Sequence, residues 1–312
     1  MKKFICYLIK MSIITLMVLA FLVIAALSVP RGVFDTSYQS VLQKKYEYFV
    51  KIDVPKIVII GGSNTAFGID EELIEKSTGY KVTNLGLHAG FGAIVPTELS
   101  KANLNEGDIV LLAYEWGWQN AGYFDMFGTD LVMSGIEHKI EMYRYIPTEH
   151  YSKIIGYLPK YIEKKWAYDT VSGVYSSSSF DDIGRMILER PQSTMVYEGN
   201  ESTYGKIDVS NGVIANDVIS YLTKYKEYVE EQGASCYFVA PPFYSGATEC
   251  TKEQFQTIVS LEEELIGIDY ISDPYAYLFP QEYIFDTPYH CTSAGELYRT
   301  ELLINDLKAV LQ

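Results

Sequence analysis

The sequence predicts an α/β fold with a parallel five-stranded sheet, preceded by one N-terminal transmembrane helix. Three observations carry this. Short β-branched runs alternate with amphipathic segments of helical spacing along the chain. The first of those runs, Ile57-Val58-Ile59-Ile60, is apolar on both faces and ends in Gly61-Gly62-Ser63, the pattern of a fully buried parallel strand. From Met11 to Val29 no charged residue occurs. That length suits a membrane-spanning helix better than a signal-peptide core of roughly 7–15 residues.

The N-terminal segment comes first. Lys2 and Lys3, with Lys10 beyond them, predict an N-terminus inside and the rest of the chain outside. The expected location is therefore the cell membrane, single-pass, with an extracytoplasmic C-terminal domain. The alternative is a cleaved signal with Ala25-Ala26-Leu27-Ser28 as its small-residue site. Residues 1–32 hold four cations and no acid while the whole chain carries −15, so the remainder carries −19. An ectodomain that acidic is a poor nucleic-acid binder, and the charge serves solubility. Of four cysteines, Cys6 lies in the anchor, and Cys236, Cys250 and Cys291 lie outside it. A Cys236–Cys250 bridge or unpaired buried thiols both fit. No Cys/His spacing suggests zinc, and neither a metal nor a cofactor is expected.

The elements follow in order. Ser37–Val50 has Tyr, Leu and Phe at helical spacing and links the anchor to the domain. Strand one is Lys56–Ile60. A helix over Asp70–Thr78 starts acidic and ends at Gly79. Lys81-Val82-Thr83 is a short second strand ending in Asn84-Leu85-Gly86. A helix around Ile94–Ala102 leads to the turn Glu106-Gly107-Asp108 and to a third buried strand, Ile109–Ala113. At about 115–210 regularity gives way to a Tyr-rich insertion over the mouth of the sheet, with helical patches at Leu131–Tyr145, Tyr151–Trp166 and Asp181–Glu189. Alternation resumes with a helix over Asp217–Glu231, strand four over Ser235–Ala240 stopped by Pro241-Pro242, a helix over Lys252–Leu265, and strand five over Ile268–Ile271. A terminal helix, Ala294–Leu311, has Thr292 or Ser293 as its N-cap. The right-handed crossover rule then favours a flavodoxin-like three-layer sandwich with strand order 2-1-3-4-5. The chain divides into an anchor with its cytoplasmic tip, 1–32, and one α/β domain, 33–312.

Ser63 falls at the carboxyl end of strand one, where open α/β sheets place their chemistry. The Gly-Gly-Ser turn suits a nucleophile or an anion cradle. A serine nucleophile needs a base, and there are four histidines. His138 and His150 read as surface residues of the insertion. His88 follows strand two. His290 follows strand five in Asp286-Thr287-Pro288-Tyr289-His290, also at the carboxyl edge, with an aspartate four residues before it to hold the ring. That coincidence selects Ser63, His290 and Asp286 as the catalytic candidates. Asp273, in Ser272-Asp273-Pro274, is the reserve acid or a turn residue. Asn64 positions the loop or the substrate, or caps the next helix, and Asn84 braces the Gly86 turn or is a plain end-of-strand turn residue. Glu115, at the end of strand three, binds a hydroxyl or pairs with a surface cation. Trp116, Trp118, Tyr123 and Phe124 form a sugar-stacking wall or ordinary packing. Arg299 and Glu301 read as a solvated helix face.

Taken together, Gly61-Gly62-Ser63-Asn64, Asn84-Leu85-Gly86 and Asp286 to His290 resemble the first, second and last blocks of the SGNH (GDSL-type) hydrolase superfamily, in the right order over Pro55–Gln312. The resemblance implies Ser63 as nucleophile, His290 as base and Asp286 as acid. It also implies an oxyanion hole from the backbone N–H groups of Ser63 or Asn64 and of Gly86. Two departures stand out. Where the superfamily's third block supplies an asparagine donor, this chain reads Tyr114-Glu115-Trp116-Gly117-Trp118, and Trp118 Nε1 is the nearest substitute. The acid stands four, not three, before the histidine. An anchor followed by such a domain resembles the membrane-anchored branch of teichoic-acid D-alanylation and alginate or peptidoglycan O-acetylation proteins. That resemblance implies a serine O-acyl, chiefly acetyl, transferase or esterase acting on cell-surface polysaccharide, with a membrane-bound O-acyltransferase as partner. A catalytically weak scaffold beside such a partner, and a secreted lipase or esterase, are the competing expectations.

Overall fold

The computed structural model describes residues 1–312 except Val29, Asn211 and Gln312. Val29, the last residue of the uncharged run, and Gln312, the end of the expected domain, thus lie outside the described residues. The chain opens with helix α1 (Lys2–Ser28), long and apolar enough to cross a membrane. At 1.5 Å per residue its 27 residues span about 40 Å, against a hydrocarbon core of about 30 Å. A 3₁₀ turn (Tyr38–Ser40) and α2 (Val41–Phe49) replace the single linking segment of the sequence reading.

Strand β1 (Lys56–Gly61) is buried throughout, runs into α3 (Ser63–Ala66), and is followed by α4 (Glu71–Thr78). Asp70 caps α4 by accepting from Leu73 N–H, and Gly79 ends it at φ 79°. Next come β2 (Lys81–Asn84), α5 (Ile94–Ser100) and β3 (Ile109–Ala113). The insertion holds α6 (Ala121–Phe124), α7 (Thr129–Ile136), α8 (Ile140–Tyr143), α9 (Tyr151–Trp166) and α10 (Glu201–Tyr204). Helix α11 (Asn216–Glu231), β4 (Ser235–Phe238), the short β5 (Phe243–Tyr244), α12 (Lys252–Ile266), the short β6 (Leu278–Phe279) and α13 (Ser293–Leu307) complete the chain. Thr292 caps α13.

The main sheet has four parallel strands in the order β2-β1-β3-β4. The expected fifth strand is reduced to one parallel bridge, Phe238 to Tyr270. Phe238 donates to Asp269 O and Ile271 donates to Phe238 O, and the chain then leaves into the turn capped by Asp273. Alternate residues of β1 and β3 feed two cores, as period-two side chains must. Val58, Ile60, Val110 and Leu112 pack with Leu42, Val95 and Leu222, whereas Ile57, Ile59, Ile109 and Leu111 pack with Ile74, Leu303 and Leu307. At the opposite edge from the site, Lys56 Nζ lies 2.7 Å from Asp108 Oδ2, both side chains fully buried. Asp108 also accepts from the backbone N–H groups of Lys56 and Asn105, so one carboxylate ties β1 to the turn before β3.

Several local expectations fail for identifiable reasons. The patch Asp181–Glu189 is not helical. Asp181 Oδ1 accepts from Ile183 and Arg185 N–H, Gly184 sits at φ 85°, and Phe180 bridges Met186 antiparallel, so the segment is a turn. The patch Leu131–Tyr145 is broken after Ile136, where Glu137 takes φ 43° and buries its carboxylate against Lys165. Cys236 and Cys250 are both free thiols, as are Cys6 and Cys291.

Candidate active site

Ser63 opens α3, directly beyond the carboxyl end of β1, with Gly62 as N-cap. A Cβ on Gly61 would stand 2.7 Å from the backbone oxygen of Ala113, so the close approach of β3's end to this turn requires glycine there. Asn64 does not face the site opening. Its Nδ2 donates to Ala113 O at 2.9 Å and its side chain is fully buried, which ties the nucleophile turn to the end of β3. Asn84 Nδ2 donates to Thr65 O and its Oδ1 accepts from Gly86 N–H at 3.0 Å, so it braces both neighbouring turns. Gly86 is pressed against Thr65, whose Oγ1 would lie 1.9 Å from an added Cβ.

His290 and Asp286 meet. His290 Nδ1 is 2.7 Å from Asp286 Oδ1, and Tyr175 OH donates to Asp286 Oδ2 at 2.6 Å. Burial pushes the Asp286 carboxyl up, but the hydrogen bond and charge of His290, with the Tyr175 hydroxyl, outweigh it and hold the group below the usual carboxylate range. Facing an ionised acceptor, Nδ1 carries the ring proton and Nε2 is left with a free lone pair. The ring stacks flat on Phe67, with centroids 4.2 Å apart and planes 5° apart. Phe67 is four residues after Ser63 and donates its N–H to Ser63 O. One helical turn therefore carries both the candidate nucleophile and the platform under the candidate base. Asp273, the reserve acid, caps a 3₁₀ turn through Tyr275 N–H and pairs with Lys252 at 2.9 Å. It is a turn residue.

Glu115 is the group that Ser63 actually touches. Oε1 accepts from Ser63 Oγ at 3.3 Å and from Asn64 N–H at 3.2 Å, and Oε2 accepts from Tyr123 OH at 3.0 Å. Neither a surface cation nor any other salt-bridge partner reaches this carboxylate among the described residues. No hydrogen bond joins Ser63 Oγ to His290 among them either. Two of the backbone donors expected to form an oxyanion hole thus have internal acceptors here: Asn64 N–H has Glu115 and Gly86 N–H has Asn84. No group of His, Cys, Asp and Glu suited to a metal ion occurs among the described residues.

Of the two readings of the aromatics after strand three, three of the four residues take ordinary packing. Trp116, Trp118 and Phe124 are buried, with Trp118 stacked on Phe238 and Trp116 tilted against Phe255, so none offers a face to a sugar. Only Tyr123 reaches the site, through Glu115. His150 is likewise interior: it stacks on Phe127 and its Nε2 is 2.8 Å from Asp125 Oδ1. Arg299, read as solvated, is fully buried and donates from Nη1 to Asn64 O at 2.6 Å, which fixes the far side of the nucleophile turn. Burial lowers its affinity for its proton. Cys291, beside His290, is buried and its thiol is pushed up to about 12, so it is inert.

No protein-family model matches the chain, and no curated protein matches it in sequence. The site must be read from its own residues. Sequence reasoning missed Tyr175, Phe67 and Arg299. Tyr175 lies 111 residues from the aspartate it bonds, beyond the reach of any local pattern. Phe67 carried a signal in its i+4 spacing from Ser63.

Proposed function

We propose that this chain is a membrane-anchored serine O-acyl, chiefly acetyl, transferase or esterase of the SGNH type that acts outside the membrane on cell-surface polysaccharide. The observation that carries this reading is the Asp286–His290 pair seated on Phe67, one turn from Ser63. The reading takes the Tyr270 bridge as the remnant of a fifth strand in a flavodoxin-like sandwich. In it, His290 Nε2 takes the proton of Ser63 Oγ as that oxygen attacks an acyl carbonyl. Asp286 and Tyr175 hold the imidazolium in place. The developing oxyanion needs donors, and Asn64 N–H and Gly86 N–H are the nearest backbone candidates once Glu115 and Asn84 give them up. Collapse expels the alcohol, protonated by His290, and leaves acyl-Ser63. A sugar hydroxyl or water then attacks, with His290 again as base.

A specific observation favours a second reading. A carboxylate engages both Ser63 Oγ and Asn64 N–H. A domain whose nucleophile is held in that way suits a scaffold beside a membrane-bound O-acyltransferase. One experiment separates the two. The full chain in detergent micelles is given p-nitrophenyl acetate with and without polysaccharide acceptor. The enzyme reading expects turnover that falls to background in both Ser63→Ala and His290→Ala. Turnover unaffected by either substitution, or none at all, leaves the scaffold.

A further inference from the structure

A cavity of about 270 Å³ lies between the candidate active site and the exit of α1. Its walls include Phe34, Tyr38, His88, Tyr168, Val171 and Tyr175. One end adjoins the site. Tyr175 bonds Asp286, and His88 lies close enough to Glu115 and His290 to feel the charge of both. The other end is the anchor. Phe34 packs on the rings of Tyr161 and Tyr168 in the cluster that also holds Ala26, Val23 and Leu22 of α1. Lys165 of α9 donates to Ala26 O at 2.9 Å, so α9 is fastened to the last turn of α1. Trp166 of α9 is exposed next to that junction, Ile155 and Tyr151 are exposed toward the other end of the helix, and Lys153, Lys160 and Lys164 share it. Aromatics and lysines flanking an apolar helix are the composition of a membrane–water interface.

Two residues on its walls have polar groups with no protein hydrogen-bond partner among the described residues. Tyr168 OH is buried and makes no hydrogen bond among the described residues. His88 Nδ1 accepts from Gly90 N–H at 2.8 Å, so the neutral ring that burial favours carries its proton on Nε2, which bonds to no protein group among the described residues. A buried hydroxyl left unmatched costs about 1–3 kcal/mol, and a ligand that matches it recovers that cost.

We propose that this cavity receives the head of a membrane-borne acyl donor, an amphiphile whose ester oxygens accept from Tyr168 OH and His88 Nε2–H while its tail stays in the bilayer beside α1. This rests on the acyl-transfer reading above and on α1 crossing a membrane. Ser63 Oγ attacks the donor's acyl carbonyl and its proton passes to His290. The donor's C–O bond breaks, and the lipid alcohol leaves with that proton, so acyl-Ser63 and a free alcohol are the products.

The test uses the full chain in phosphatidylglycerol–phosphatidylethanolamine vesicles, with hexadecyl acetate in the bilayer and p-nitrophenyl acetate in solution as alternative donors. Val171→Trp fills the cavity from an exposed loop position, and Tyr168→Phe removes the unmatched hydroxyl. Each is expected to lower the ratio of hexadecyl acetate to p-nitrophenyl acetate turnover at least tenfold. An unchanged ratio in both variants, or a parent chain that cleaves the soluble ester through Ser63 but never the bilayer ester, overturns the assignment of the cavity while the catalytic reading stands. A parent chain that shows no Ser63-dependent turnover of either ester overturns both.

Discussion

Replacing Glu115 with glutamine should make Ser63 more reactive. The parent carboxylate accepts from the nucleophile at 3.3 Å and from Asn64 N–H at 3.2 Å. An acyl oxyanion needs that N–H, and a second negative oxygen beside it is repulsive. Removing one oxyanion donor typically costs about 2.7–4 kcal/mol, so restoring one gains up to a similar amount, about 100- to 1000-fold in the acylation rate. Glutamine is isosteric, keeps an acceptor for Tyr123 OH, and adds an amide donor at this strand end. The fold should tolerate the change, because no ion pair of Glu115 is lost. The assay is the stopped-flow burst of p-nitrophenol from p-nitrophenyl acetate at fixed pH, with circular dichroism to show an unchanged fold. A slower burst in Glu115→Gln would refute the reasoning, because it would put the carboxylate to work in the reaction instead of in competition with the oxyanion.

Three further outcomes follow from the same geometry. Asp286→Asn should lower kcat by about 100-fold or more with little change in KM, because the Nδ1 proton loses its ionised acceptor and the base its correct tautomer; steady-state kinetics on the soluble ester reads this. Asp108→Ala strands the buried Lys56 ammonium and should cost about 3–5 kcal/mol in urea unfolding, with the paired Lys56→Met/Asp108→Leu variant recovering most of it. Glu262, buried and accepting from Gln119 and Tyr270, has its carboxyl pushed up to about 7 by burial. A raised carboxyl favours the fold fully below its unfolded value and loses that contribution as pH rises toward 7, so Glu262→Gln should raise Tm at pH 8 and leave it unchanged at pH 4.

The parts of this fold that could be read in advance are those whose cause is local. Ile57–Ile60 could only be a buried strand, because four β-branched side chains in a row leave no polar face. Asp70, Gly79, Thr292 and the Gly61-Gly62 turn are boundaries set by one residue's own backbone chemistry. Asp286 and His290 were legible because a four-residue spacing in a loop after the last strand leaves few other uses for such a pair. The rest depends on partners distant in sequence. Arg299 reads as a solvated helix residue until its guanidinium meets Asn64 O, 235 positions away. Trp116 and Trp118 could be read as a binding wall or as packing, and the choice needed the structure, where both are buried just beyond β3. Ile183, Met186 and Ile187 have helix-like spacing, yet Asp181 closes a turn on Ile183 and Arg185 that helical order would have to break. Glu115 was legible as a site residue at a strand end, but its grip on both Ser63 and Asn64 N–H required the structure.

The claim on which the functional reading rests is that Ser63 is a nucleophile activated by His290. The most direct measurement is peptide mass spectrometry of the full chain quenched during turnover of p-nitrophenyl acetate. An acetyl group on the Ser63 peptide, absent from His290→Ala under the same conditions, is the expected result. Acetylation confined to lysines, or a Ser63 peptide that stays unmodified while ester is consumed, would contradict it.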